Sequence, residues 1–405
     1  MSLIWDVRTV LASEALSSVN QSDPESATTT RTTAELEPID VWNYLVSLSE
    51  DDTIKNSESP DDHVKLTHFK DADFDHSWDA APVHLGDGAS YSVDKVTLSI
   101  RRDDGNPIIV AVKKINLFGN FESRSDWSAA TRHRSVATVL KELRILSIPS
   151  IEEHLNIVSL LGFRSEHTST SAQNSTNVSL VMEYGSHGTL RDFCKSHSDD
   201  ETFDLVAKAR FMHDIASGLA KLHSCGIAHG DIKLENTLVF DGNKGHLIAK
   251  LSDFGHSILD LYDSEEPQGV YLGTPLMNAP EVRTRRHALH HAQDFFKCDI
   301  FSFGLLIWEL LLDGKHYFTT LQGAEDADES TDMMAYLCDL PKDELLLQSL
   351  KYLQGLPEKN EAPLIQLVIR TLQASLRDDP ERRRGIEVIL AGFRQHKDLT
   401  RDDWM

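Results

Sequence analysis

Eight consecutive residues, His229-Gly230-Asp231-Ile232-Lys233-Leu234-Glu235-Asn236, constrain this chain of 405 residues more than any other segment. An Asp, a Lys two positions on and an Asn three beyond that form a compact kit for phosphoryl transfer. The carboxylate accepts a hydroxyl proton, the ammonium neutralises a phosphate, and the amide oxygen holds Mg²⁺. Alone, the octet could arise by chance. It is followed in order by Asp253-Phe254-Gly255 and by Ala279-Pro280-Glu281, which bound a segment of 29 residues.

The hydrophobic pattern around these motifs is of two kinds. Residues 91–101 and 107–117 are rich in Val and Ile and are separated by Asp103-Asp104-Gly105-Asn106, which predicts two strands and a turn. Residues 126–147 read as a helix, with Val139, Leu140, Leu143 and Leu146 at helical spacing. Residues 156–163 and 177–184 predict two more strands, and the Ser/Thr/Asn-rich residues 165–176 an exposed insertion. After Gly188 the chain turns helical. Residues 203–224 carry Met212, Ile215, Leu219 and Leu222 on one face, and residues 298–312 are nearly all apolar, as in a helix buried on most sides. Residues 362–376 and 385–393 are later helical stretches. Strands first and helices second predict an α+β fold, a small sheet-rich lobe beside a larger helical one.

Length suggests two or three folding units. The net charge of −24 is uneven: residues 1–80 hold 17 acidic against 5 basic residues. That balance argues against general nucleic-acid or anionic-membrane binding. No run of about 18 apolar residues predicts a membrane span, and no basic stretch followed by an apolar core predicts a secretory signal. Cys194, Cys225, Cys298 and Cys338 suit neither zinc nor a disulfide framework, so reduced thiols in an intracellular protein are expected, in the cytoplasm or the nucleus. The acidic, Ser/Thr-rich residues 1–80, with short amphipathic stretches at 4–19 and 39–48, read as a largely flexible extension. It either docks a regulatory partner or is a solvated tail.

Taken in order, the motifs resemble the eukaryotic protein kinase family, over residues 83–394. The resemblance implies a bilobal kinase domain at 81–395, with an antiparallel-sheet N-lobe carrying one key helix (81–184), a mainly helical C-lobe (185–395), and a tail at 396–405. It implies ATP and Mg²⁺ as cofactors and a protein as substrate. Gly86 and Gly88 would cover the phosphates, although Gly-x-Gly is also an ordinary hairpin turn. The family's third glycine is Tyr91 here, and its aromatic loop tip is Ser90. Val93 and Ala111 would line the adenine site. Lys113, after Val110-Ala111-Val112, would reach the α- and β-phosphates and be held by Glu142, with Lys114 as the alternative register. Met182 would be the gatekeeper, a position that core packing explains equally well. Backbone groups from Glu183 to Gly185 would bond the adenine edge, and Leu238 would lie under it.

In the same resemblance Asp231 takes the hydroxyl proton, Lys233 stabilises the transferring phosphoryl group, and Asn236 and Asp253 bind Mg²⁺. Phe254 and Gly255 complete their motif, with Phe254 packing beneath the helix of Glu142. Thr274 would bridge Asp231 and Lys233. Glu281 would pair with Arg383, and Asp299 would hold the catalytic-loop backbone. Leu146, Leu160, His229 and Phe254 would form a hydrophobic column.

Lys233 and Thr274 are similar to the serine/threonine branch, and residues 298–310 resemble its tyrosine-kinase-like group. Gly230 stands where most regulated kinases have an arginine that gathers an activation-segment phosphate. Activity is therefore expected not to require phosphorylation of Ser257, Tyr262, Ser264 or Tyr271. Two other readings stand beside an active kinase. One is an ATP-binding pseudokinase acting as a scaffold, suggested by Ser90, Tyr91 and Gly230. The other is a small-molecule kinase, against which the Ala279-Pro280-Glu281 segment and Thr274 argue.

Overall fold

The computed structural model describes residues 66–70, 73–75, 77, 81–87, 91–101, 106–115, 129–169, 174–242, 245–262, 270–284, 289–321, 330–355, 362–396 and 399. Gly88, Ser90, Ser264, the centre of the 103–106 turn, residues 1–65 and nearly all of the 396–405 tail lie outside the described residues. The chain divides into two compact units, Met1–Glu153 with Val158–Tyr184, and His154–Ile157 with Gly185–Met405.

The first unit is built on strands β1 (Thr67–Phe69), β2 (Val83–Asp87), β3 (Tyr91–Arg101), β4 (Pro107–Ile115), β5 (Leu160–Ser169) and β6 (Asn174–Glu183). They form one sheet in the order β1-β5-β6-β4-β3-β2, antiparallel except for the β1–β5 pair. Side chains alternate between the faces of a strand. In β4 that alternation sends Val110 and Val112 into a core with Val96, Leu98, Val181, Phe69 and Phe74. Ala111 and Lys113 go to the opposite face, in register with Met182 and Leu180 of β6, and Lys113 with Val93 of β3. Helix α1 (Ala129–Leu146) buries Val136, Val139, Leu140, Leu143 and Leu146. Residues 126–128 of the expected helix lie outside the described residues.

Two expectations are corrected here. Residues 165–176 are largely not an insertion: β5 and β6 continue as a hairpin through the pairs Glu166↔Asn177, His167↔Thr176, Thr168↔Ser175 and Ser169↔Asn174. The ladder is made by backbone groups, and Thr suits a strand without needing an apolar partner. The stretch read as a flexible extension also contributes ordered residues. Leu66, Phe69 and Phe74 are buried, and Phe74 bridges to Leu98. Burying a side chain of that size is worth about 1.5–3 kcal/mol. Gly162 of β5 makes room for β1, since a Cβ there would stand 2.0 Å from the Thr67 carbonyl oxygen.

The short helix α2 (Pro149–Glu152) still belongs to the first unit; the described part of the second unit is mainly helical, with one hairpin of β7 (Thr237–Asp241) and β8 (Leu247–Leu251). Its helices are α3 (Leu190–Ser196), α4 (Leu205–Ser224), α5 (Pro280–Thr284), α6 (Ala292–Leu311), α7 (Ser330–Asp339), α8 (Glu344–Gln354), α9 (Ala362–Ser375) and α10 (Ile386–Arg394). Asp204 caps α4 by accepting the Ala207 N–H, and Thr189 caps α3 in the same way through Asp192 N–H. Met212, Ile215, Leu219 and Leu222 of α4 are all fully buried. Helix α6 is apolar around its circumference, and every residue from Cys298 to Leu311 is buried. Two polar residues in it, Asp299 and Glu309, are fully enclosed, so each must find partners.

Candidate active site

In the first unit, the register of β4 and the face of α1 bring two expected residues together. Lys113 Nζ donates to Glu142 Oε1 at 2.9 Å and to Oε2 at 2.7 Å, with both residues buried. Lys114 points to the other face, where it pairs with Asp94 at 2.6 Å. Gly86, Val93 and Lys113 lie in one transverse row across β2, β3 and β4. The ring of Tyr91 lies over Lys113 Nζ, 3.8 Å from its centroid. Met182 is buried beside Ala111, and the Glu183 N–H donates to the Ser159 carbonyl. Leu146 and Leu160 are buried in this unit.

In the second unit, Asp231 is the centre of the arrangement. It follows α4 and precedes a single 3₁₀ turn, Leu234–Asn236, that leads into β7. Its Oδ2 accepts from Lys233 Nζ at 2.7 Å and from Asn236 Nδ2 at 2.8 Å. Its Oδ1 accepts from the Thr274 N–H and hydroxyl, both at 2.7 Å. Lys233 Nζ also reaches Thr274 Oγ1 at 2.8 Å, which closes a ring of three residues. Burial pushes the Asp231 carboxyl up, but hydrogen bonding and charge from Lys233, with Thr274, hold it below the usual carboxylate range. The same contacts therefore favour the ionised carboxylate.

A second carboxylate supports the first. Asp299 Oδ2 accepts from His223 Nε2 at 2.9 Å and from the His229 N–H at 2.8 Å. Its Oδ1 accepts from the Gly230 N–H at 3.0 Å and from the Tyr271 hydroxyl at 2.8 Å. Burial opposes its ionisation, and His223 with these other donors prevails, so its pKa is lowered. One enclosed side chain thus fixes the backbone just before Asp231 and the segment just before Thr274.

His229 is fully buried, and the Asp231 N–H points at its Nδ1 from 3.3 Å. Nε2 then carries the proton and donates to the Ser252 carbonyl at 3.1 Å. Burial lowers its pKa, in keeping with this neutral form. Phe254 packs on the same ring, centroids 5.3 Å apart. Gly230 has φ +81°, and a Cβ on it would stand 2.2 Å from the His256 carbonyl oxygen. The position therefore admits neither the arginine of the regulated pattern nor any other side chain without rearrangement.

Asn236 and Asp253 offer hard oxygen donors, the kind Mg²⁺ takes. The Asn236 amide nitrogen is committed to Asp231, which leaves its oxygen as the end available to a cation. The Asn236 carbonyl accepts from both the N–H and the hydroxyl of Ser252, pinning the residue before Asp253. Asp253 itself has φ 59°, a left-handed conformation that Asp tolerates better than most residues. No group of three or more His, Cys, Asp or Glu side chains suited to a metal occurs among the described residues. A magnesium ion here would complete its shell with phosphate oxygens and water.

The other expected residues fall as follows. Gly185 lies against Leu238, and a Cβ on it would stand 3.2 Å from the Leu238 Cβ. Arg383 forks onto Glu281 at 2.6 and 2.8 Å and also donates to the Lys297, Arg377 and Asp378 carbonyls. Gly255 follows Asp253 in the turn, its N–H 3.5 Å from Asp253 Oδ1. The sequence reading missed Tyr271, His223 and Ser257 as members of this network. Ser257 is buried and donates to the His229 carbonyl at 2.9 Å. Of the hydroxyls named for the activation segment, Ser257 and Tyr271 are therefore enclosed, whereas Tyr262 is exposed. All four cysteines are free thiols, and none of the described helices is long and apolar enough to cross a membrane.

The family model described as Protein kinase domain matches residues 82–392. The chain is 30% identical over 230 residues to the MAP kinase kinase kinase mkh1 of Schizosaccharomyces pombe, which covers 56% of this chain and 18% of that protein. It is 37% identical over 141 residues to the serine/threonine-protein kinase SRK2H of Arabidopsis thaliana, covering 34% of this chain and 35% of the relative. Tyrosine-protein kinase Fer of Homo sapiens is 30% identical over 170 residues, 42% of this chain and 18% of Fer. The chain spans about a third or less of the length of these relatives.

Proposed function

The chain belongs to the protein kinase domain family, and from that premise we propose that it transfers the γ-phosphate of ATP to serine or threonine hydroxyls of a protein substrate. The observation that carries the reading is the ionised Asp231 caged by Lys233, Asn236 and Thr274. In the proposed step the substrate hydroxyl oxygen attacks the γ-phosphorus and its proton passes to Asp231. The bond from the γ-phosphorus to the β–γ bridging oxygen breaks, and ADP leaves. Lys233 balances charge on the transferring group while keeping Asp231 oriented. Lys113, held by Glu142, takes the α- and β-phosphates. Asn236 and Asp253 would hold Mg²⁺, which when bound neutralises the phosphate oxygens.

Serine/threonine selectivity is supported by the Lys233–Thr274 bond, which ties the activation segment to the catalytic loop. Independence from activation-segment phosphorylation is supported by Tyr271. Its hydroxyl on Asp299 anchors the segment without a phosphate, and Gly230 leaves no arginine to receive one.

The test is transfer of labelled γ-phosphate from Mg-ATP to the protein itself and to a basic protein substrate, with Asp231→Asn in parallel. Transfer that disappears in the variant and yields phosphoserine or phosphothreonine supports the reading. Phosphotyrosine as the product would refute its selectivity, and activity lost on phosphatase treatment would refute phosphate independence. Absence of transfer by folded wild-type protein would favour the pseudokinase scaffold. That second reading draws on the Tyr91 ring against Lys113.

A further inference from the structure

We propose that Tyr91 is a displaceable aromatic lid on Lys113, so that capture of a nucleotide's phosphates requires the ring to swing away. The inference rests on the reading that Lys113 engages those phosphates, and it concerns residues of the first unit alone.

The placement follows from strand register. Tyr91 of β3 stands opposite Ile115 of β4, and Lys113 lies two residues from Ile115 on the same face. Such diagonal neighbours are within reach of aromatic and long side chains. The ring centroid is 3.8 Å from Nζ, inside the range of a cation–π contact. Two donors of the ammonium go to Glu142, and Lys113 is only 6% exposed. A phosphate oxygen bonded to this ammonium must come within about 2.9 Å of Nζ, and the carboxylate side is taken. The ring covers an approach that a glycine at position 91 would leave open. Its hold is weak enough to yield: an anionic phosphate makes a charge-assisted bond to the ammonium, and the ring offers only a quadrupole. Lys113 is thus presented to a phosphate only when Tyr91 gives way, and the lid penalises phosphate-bearing ligands without touching the adenine contacts.

Two measurements test this. In nucleotide-free protein, trace acylation of Lys113 by acetic anhydride is followed by peptide mass spectrometry. Tyr91→Ala and Tyr91→Thr should acylate Lys113 several-fold faster than wild type, and Tyr91→Phe should match wild type. Thr keeps a strand-forming residue in β3, so a folding failure of the Ala variant leaves the comparison intact. In equilibrium titrations, Ala and Thr should tighten Mg-ATP by about twofold to thirtyfold, the factor equivalent to a cation–π contact. Adenosine, which lacks phosphates, should bind all the proteins alike. Equal or weaker ATP binding by both variants, with wild type binding ATP, would overturn the lid alone. An equal gain for adenosine would also overturn it. Failure of wild type and every variant to bind ATP would overturn the lid together with the kinase reading on which it rests.

Discussion

Replacing Asp299 by Asn keeps the size of the side chain and removes its charge. Four donors converge on the carboxylate: His223, the His229 and Gly230 N–H groups, and the Tyr271 hydroxyl. An amide has one accepting oxygen, and its nitrogen must face the other pair of donors. If it turns to the Oδ1 side, Tyr271 can rotate its hydroxyl to accept, but the Gly230 N–H is orphaned. If it turns to the Oδ2 side, His223 can change tautomer, but the His229 N–H is orphaned. One buried N–H without a partner costs about 1–3 kcal/mol. The two bonds that survive lose charge assistance, about 1 kcal/mol each. The sum is about 3–5 kcal/mol, a large share of a typical total stability of about 5–15 kcal/mol. The assay is urea unfolding followed by tryptophan fluorescence. With a slope of about 2–3 kcal/mol/M, the midpoint of the transition should fall by about 1–2.5 M. Tyr271→Phe removes one donor, leaves three, and should lose about 1–2 kcal/mol. A loss under about 1 kcal/mol for Asp299→Asn, or an equal loss for Tyr271→Phe, would refute the idea that one charge organises all four groups.

Gly230→Ala should destabilise by about 1–2 kcal/mol from the left-handed backbone alone, with more from the contact on the His256 carbonyl. A melting temperature equal to wild type would count against that geometry. Arg383→Ala should cost about 3–5 kcal/mol by leaving Glu281 buried and unpaired, and Arg383→Lys should restore only part, because an ammonium cannot fork onto both oxygens. Full rescue by Lys in chemical denaturation would contradict this. His229 titrates lower in the folded state than its ordinary 6.5, so the unfolded chain binds more protons as the pH drops. Its contribution is present above that value and lost as the pH falls through it towards the folded pKa. His229→Gln should flatten stability against pH in that window relative to wild type. The depressed Asp231 and Asp299 contribute above the unfolded carboxylate value, and that stability is lost as the pH falls through their folded pKa values.

What the sequence made legible was whatever a local pattern encodes. A period of two separates Lys113 from Lys114, and the structure puts Lys113 on Glu142 and Lys114 on Asp94. A period of 3.6 gives the buried stripe of α4, Met212 to Leu222. Tyr271 on Asp299 was not legible, because the pair is 28 residues apart and neither flank carries a periodic signal. Gly230 was read for the arginine it lacks and for a looser backbone beside Asp231, not for a required left-handed conformation. Its positive φ, the commonest physical reason for a glycine, went unused. The β5–β6 hairpin was hidden by composition, since backbone pairing leaves no apolar trace in Ser and Thr. β1 has three residues, too few for any period, and its partners around Gly162 lie some 95 positions downstream.

That short strand has a practical consequence for anyone handling the protein. The family match begins at residue 82, and a fragment trimmed to it would lack β1, Phe69 and Phe74. The outer side of β5 would then offer unpaired N–H and C=O groups beside an uncovered apolar patch, a template for another copy of the chain. The full chain fills that template from within. Size-exclusion chromatography of the trimmed fragment should show self-association that the full chain does not, and adding back residues from 66 onward should restore the monomeric behaviour of the sheet.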